Sequence, residues 1–132
     1  MIEDFKEANW LEIKHKMDKK DHWEPPPVGF YIINVDGTIP LANGNSGIGI
    51  IVRDSESRFL AAMYLPLQGR YSVEETEAIA VEQGFVLAKK LGLERVIIES
   101  DSLLTVQAVE ANDVRGAVGH IVKGILQNLH SF

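Results

Sequence analysis

Phe30-Tyr31-Ile32-Ile33-Asn34-Val35 is aromatic or β-branched at every position but Asn34, and the run stops at Asp36-Gly37. This pattern predicts a central strand closed by a strong turn signal. Two further strand-type runs follow it: Gly47-Ile48-Gly49-Ile50-Ile51-Val52, then Phe59-Leu60-Ala61-Ala62-Met63-Tyr64, parted by Arg53-Asp54-Ser55-Glu56. They read as a hairpin. Gly44, Gly47 and Gly49 precede or lie inside a strand pattern, so a turn and a closely packed strand explain them better than a phosphate-cradling loop. Ser72-Val73-Glu74-Glu75 has the form of a capping box opening a long helix that runs to Leu91 and closes at Gly92. Val96-Ile97-Ile98 is strand-like again. Leu103, Leu104, Val106, Gln107 and Val109 then fall at helical spacing, as do Val118, Ile121, Val122, Ile125, Leu126 and Leu129. The order is β-β-β-α-β-α-α, an α/β chain.

The 132 residues are 45% hydrophobic and 24% charged, proportions that suit one compact domain. No cysteine is present, which excludes disulfide scaffolds, Cys-ligated zinc, iron-sulfur clusters and thiol catalysis. Thirteen Lys and Arg against nineteen Asp and Glu give a net charge of -6. Any nucleic-acid role must therefore rest on a local site or on bridging metal ions, not on a broad cationic face. The start is charged throughout, unlike a signal peptide. No apolar run approaches the roughly 20 residues that cross a bilayer, so no membrane partner is expected. Residues 1–27 read as a charged leader, with Phe5, Trp10, Leu11 and Ile13 compatible with a short amphipathic helix. The leader ends in a semi-rigid linker at Glu24-Pro25-Pro26-Pro27. The compact unit is placed at 28–132.

Three carboxylates stand out. Asp36 ends a strand at the sheet edge where α/β ligand sites tend to lie, though Asp-Gly also simply makes turns. Asp101 repeats the arrangement after Val96-Ile97-Ile98, and there Ser100 or Asp101 would serve equally as a helix N-cap. Glu77 shares a helix face with Ala80, Val81, Gly84, Phe85 and Ala88, so it points inward and needs a partner, either Arg53 or Arg70 in a salt bridge or a bound cation. Should the three converge within about 5 Å, each like-charge pair costs about 3 kcal/mol at an effective dielectric of 20. Such a cluster calls for a hard cation, Mg2+ or Mn2+, and two such ions suit phosphodiester chemistry. The histidines, His15, His22, His120 and His130, are assigned structural or solvated roles, and Trp10 and Trp23 are expected to pack on a neighbouring segment or surface.

Asn34-Val35-Asp36-Gly37-Thr38, the hairpin Gly47-Ile48-Gly49-Ile50-Ile51-Val52-Arg53-Asp54, the helix with Glu77-Ala78-Ile79-Ala80 and Ile97-Ile98-Glu99-Ser100-Asp101-Ser102 together resemble the ribonuclease H domain of plant reverse-transcriptase-like proteins. Trp23-Glu24-Pro25-Pro26-Pro27-Val28-Gly29 is similar to the lead-in of that group, and the likeness spans roughly Trp23 to Leu129. The resemblance implies a mixed sheet of order 3-2-1-4-5 flanked by helices, and hydrolysis of the RNA strand of RNA/DNA hybrids. It makes Asp36, Glu77 and Asp101 catalytic metal ligands for two Mg2+ or Mn2+ ions, with Gly37, Thr38 and Ser102 beside the substrate. It also suggests an endogenous plant source and a retroelement origin, and an intracellular setting, cytoplasmic or nuclear, is expected. Family members carry a fifth strand, a loop histidine and a fourth acid on a final helix. The chain ends about where that strand should begin, so the sheet is expected to be one strand short. The alternative is a non-catalytic nucleic-acid-binding or protein-interaction module of the same fold, whose exposed sheet edge would pair with another chain, a second copy included. Asn34-Val35-Asp36-Gly37-Thr38 is also one letter from the D-x-D-G-T of haloacid-dehalogenase-type phosphatases, but Asn34 is no nucleophile and a hairpin follows where that family has a helix.

Overall fold

A computed structural model describes residues 9–16, 27–38 and 44–131. The elements are β1 (Trp10–His15), β2 (Tyr31–Thr38), β3 (Gly47–Asp54), β4 (Phe59–Pro66), α1 (Val73–Lys90), β5 (Arg95–Ser100), α2 (Leu103–Glu110) and α3 (Gly119–His130). The strands form one sheet of order β1-β5-β2-β3-β4. β2, β3 and β4 make the expected antiparallel meander, and β2 runs parallel to β5. β2 is central, as its apolar composition predicts. No helix among the described residues is long and apolar enough to cross a membrane.

The leader departs from expectation. Residues 10–15 form a strand, not a helix, and this strand lies ahead of the boundary placed at Val28. It pairs in parallel with β5, from Trp10 opposite Arg95 to His15 opposite Ser100. The fifth place in the sheet, expected to be empty, is thus filled from the other end of the chain. Leu11 and Ile13 alternate with Glu12 and Lys14, a period-2 pattern too short to separate from a helical one by sequence alone. The open edge of β5 decides the matter by offering a full ladder of backbone partners, and Ile13 drops into the core at 7% exposure. Trp10 packs edge-on against Phe30, ring centroids 6.3 Å apart. Of the proline linker only Pro27 is among the described residues, and Trp23 and His22 lie outside them.

All three helices join one core with the inner face of the sheet. Ile33, Val35, Ile48, Ile50, Val52, Val96 and Ile98 meet Val81, Phe85, Val106, Ile121, Val122 and Ile125. α1 starts as predicted: the Ser72 hydroxyl accepts from the Glu75 N–H, and the Glu75 carboxylate accepts from the Ser72 N–H. It ends at Leu91, with Gly92 at φ 68° supplying the left-handed residue that closes many helices. In its middle, Gly84 allows direct contact with β2, since a Cβ there would stand 2.9 Å from Val35 Cγ1. The cap of α2 settles between neighbouring candidates. It is Ser102, not Ser100 or Asp101, whose hydroxyl accepts from the Thr105 N–H.

Among the described residues, the buried apolar cluster on the opposite face of the sheet is Phe30, Ile32 and Ile97, and that face turns polar toward the carboxyl ends of β2 and β5. The role of β1 in this fold can be measured by unfolding. Ile13→Ala should lower stability by about 2–5 kcal/mol in urea titration. A loss within the roughly 0.5 kcal/mol of an ordinary surface change would remove β1 from the folded unit.

Candidate active site

β2 and β5 are parallel, so their carboxyl ends reach the same rim. The register sets Ile32 opposite Ile97 and Asn34 opposite Glu99, and ends with Val35 opposite Ser100. Side chains alternate between faces, so Ile32, Asn34 and Asp36 form one file on the open face and Ile97, Glu99 and Asp101 form its neighbour. Asp36 and Asp101 each lie one residue past the last pair and are exposed. They share a groove of about 570 Å3 with Asn34, Glu99 and Lys16.

Glu77 reaches this rim from the first turns of α1. Its Oε1 accepts a 2.7 Å hydrogen bond from the Gly37 N–H, directly after Asp36. The approach is possible because residue 37 is glycine. A Cβ there would lie 2.7 Å from both Glu77 Oε1 and Thr76 Cγ2. Glu77 is half-buried, and burial pushes its carboxyl above the ordinary range; the Gly37 N–H works against that, while the charges of Asp36 and Asp101 and a hydrogen bond with Asp36 add to it. The three acids thus share one electrostatic field. Neither arginine considered as a partner pairs with Glu77. Arg53 goes to Asn34 and Glu99, and Arg70 donates to the Gly44 carbonyl. Among the described residues, no Lys or Arg forms an ion pair with Asp36, Glu77 or Asp101.

The donor set of three carboxylates is the chemistry that a hard divalent ion takes. Their disposition is looser than a finished site, for among the described residues no three His, Asp or Glu side chains are arranged to enclose a metal. Glu77 is turned to the Gly37 amide. The residues read as substrate neighbours flank the acids but have polar groups engaged within the fold. The Gly37 N–H serves Glu77, Thr38 Oγ1 donates to the Gly47 carbonyl at 3.0 Å, and Ser102 Oγ caps α2 and donates to Thr105 Oγ1.

Behind the rim, Glu99 and the partners of Asn34 and Arg53 escape the sequence reading. Glu99 is only 3% exposed, and its Oε1 accepts from Asn34 Nδ2 at 2.8 Å. Asn34 Oδ1 accepts in turn from Arg53 Nε and Nη2, and Nη2 lies 3.8 Å from Glu99 Oε1. The signal was present as the one polar residue in an apolar strand, with no way to see its cross-strand partner. His15, assigned a structural or solvated role in the leader, hydrogen-bonds through Nε2 to the Asp101 carbonyl at 3.1 Å.

The reverse transcriptase-like family model matches residues 34–132. The chain belongs to the reverse transcriptase-like family. The match takes in Asp36, Glu77 and Asp101 and leaves β1 outside. No curated protein matches this reverse transcriptase-like chain. Among solved structures, it is similar to the N-terminal RNase H domain of a Mycobacterium tuberculosis protein, with TM-score 0.67, 22% identity, and coverage of 78% of this chain and 80% of that one. It is similar to LC11-RNase H1, isolated from compost and solved in complex with an RNA/DNA hybrid, with TM-score 0.65, 19% identity, and coverage of 76% and 77%. RNase H1 of the halophilic archaeon Halobacterium salinarum gives TM-score 0.62 at 15% identity, covering 75% and 78%. At these identities the likeness is one of fold, and the fold is ribonuclease H-like.

The field at Glu77 has a pH signature. A carboxyl that titrates above its ordinary 4.5 in the folded state holds its proton more tightly there, so stability falls as pH rises from about 4.5 through the raised value. Glu77→Gln keeps an acceptor oxygen for Gly37 and removes the charge. Its melting temperature should match the parent's in acid and exceed it increasingly toward neutrality. A variant that melts lower than the parent at neutral pH would show that the charge itself holds the fold.

Proposed function

We propose that this chain is a ribonuclease H-type nuclease that hydrolyses the RNA strand of RNA/DNA hybrids. Asp36, Glu77 and Asp101 would hold Mg2+ or Mn2+ at the sheet rim. The observation that carries the reading is the meeting, at one rim, of three acids from β2, α1 and the end of β5, with no ion-paired cation among the described residues and with Glu77 pushed up by its burial and by both neighbours. A pair of such ions, when bound, activates water and stabilises the leaving oxygen of a phosphodiester. The protein's own contribution is placement. β2 and β5 set Asp36 and Asp101 by their register, and the Gly37 N–H holds Glu77 beside them. The groove at the rim is open to a strand of nucleic acid, and a neighbour of the same fold is known with an RNA/DNA hybrid.

One observation favours a binding module instead, namely that no three described acids are already arranged around an ion position. The two readings part in one experiment. With Mn2+ and an end-labelled hybrid, the nuclease reading expects cleavage of the RNA strand by the parent and background cleavage by Asp36→Asn. Mg2+ should raise the melting temperature of the parent and leave that of Asp36→Asn unchanged. Hybrid binding without cleavage and without a metal-dependent shift would establish the module and overturn the nuclease.

A further inference from the structure

We infer that β1 does more than close the sheet: its end supplies Lys16 as the cation that meets a phosphate of a nucleic-acid strand lying over Asp36 and Asp101. β1 runs parallel to β5, so it too ends at the rim. Its ladder finishes with His15 opposite Ser100, and Lys16 and Asp101 are the next residues of the two strands' chains. The hydrogen bond from His15 Nε2 to the Asp101 carbonyl ties the two strand ends together just past the ladder. Lys16 lines the same groove as Asp36 and Asp101, is exposed, and makes no ion pair among the described residues.

The charge pattern gives this lysine its use. The chain is net negative, and the groove's acids would repel a polyanion at the place where it must bind. Among the described residues that line the groove Lys16 is the basic one, while Arg53 is turned to Asn34 and Glu99. An ammonium on a flexible four-carbon stem suits a phosphate whose position shifts as a strand seats. The residue lies outside the stretch, 34–132, that the family model matches.

The inference rests on the nucleic-acid reading above, and the test separates the two. Affinity for a short fluorescein-labelled RNA/DNA hybrid is measured by anisotropy over a salt series, with Ca2+ replacing Mg2+ to hold back turnover. Lys16→Ala should weaken binding and lower the slope of log affinity against log salt by about one, the mark of one lost phosphate contact. Lys16→Arg should restore both. Lys123→Ala deletes the same charge from the exposed side of α3, across the sheet, and should leave the slope unchanged. His15→Ala should lower the slope toward that of Lys16→Ala, and His15→Gln, which keeps an N–H donor, should not. If the parent binds and cleaves the hybrid but Lys16→Ala keeps the parental slope, this inference falls and the carboxylate reading stands. A parent that does not bind the hybrid at all overturns both.

Discussion

The parallel pairing of β2 with β5 is the constraint on which the rest of the molecule depends. Asp36 and Asp101 are neighbours only because Asn34 faces Glu99 and Val35 faces Ser100. A slip of one residue would turn Asn34 and Asp36 toward the helices and push Ile33 and Val35 to the open face. The Asn34, Glu99 and Arg53 network guards against this. Glu99 is almost wholly buried and accepts from Asn34, so any other register would part this buried carboxylate from the Asn34 amide. A hydrogen bond to a charged group is typically worth about 1.5–3 kcal/mol. The polar residues in these apolar strands therefore hold the ladder that delivers the rim acids.

The second constraint is how near α1 comes to β2. Two glycines set it, Gly84 over Val35 and Gly37 under Thr76 and Glu77. With side chains at these points the helix would ride higher and its first turn would stand away from the rim. Glu77 is thereby kept both half-buried and close to Asp36, a combination that raises the energy of its charge and concentrates negative potential where the strands end.

Much of this was legible in the sequence because local chemistry and tertiary packing agree. The apolar run ending at Asp36, the hairpin after it, the Ser72 and Glu75 capping box and the stripe of α1 all lie where their patterns put them. Glu77 was legible as an acid on a buried face. Its partner was not, because a backbone N–H brought close by a glycine leaves no charge pattern to read, and the two arginines in view serve other groups. The cap of α2 could not be singled out from sequence, since Ser100, Asp101 and Ser102 are all competent caps. β1 was missed for a larger reason. Its six residues carry too little pattern of their own and become a strand only through the edge that β5 presents, far away in the chain.

That arrangement also orders events during synthesis. Trp10 to His15 leave the ribosome before the other four strands described, yet their ladder partner, Arg95 to Ser100, is made only after the meander and α1. The earliest of the five described strands is therefore docked late, and the nascent meander must hold itself together with one flank uncovered.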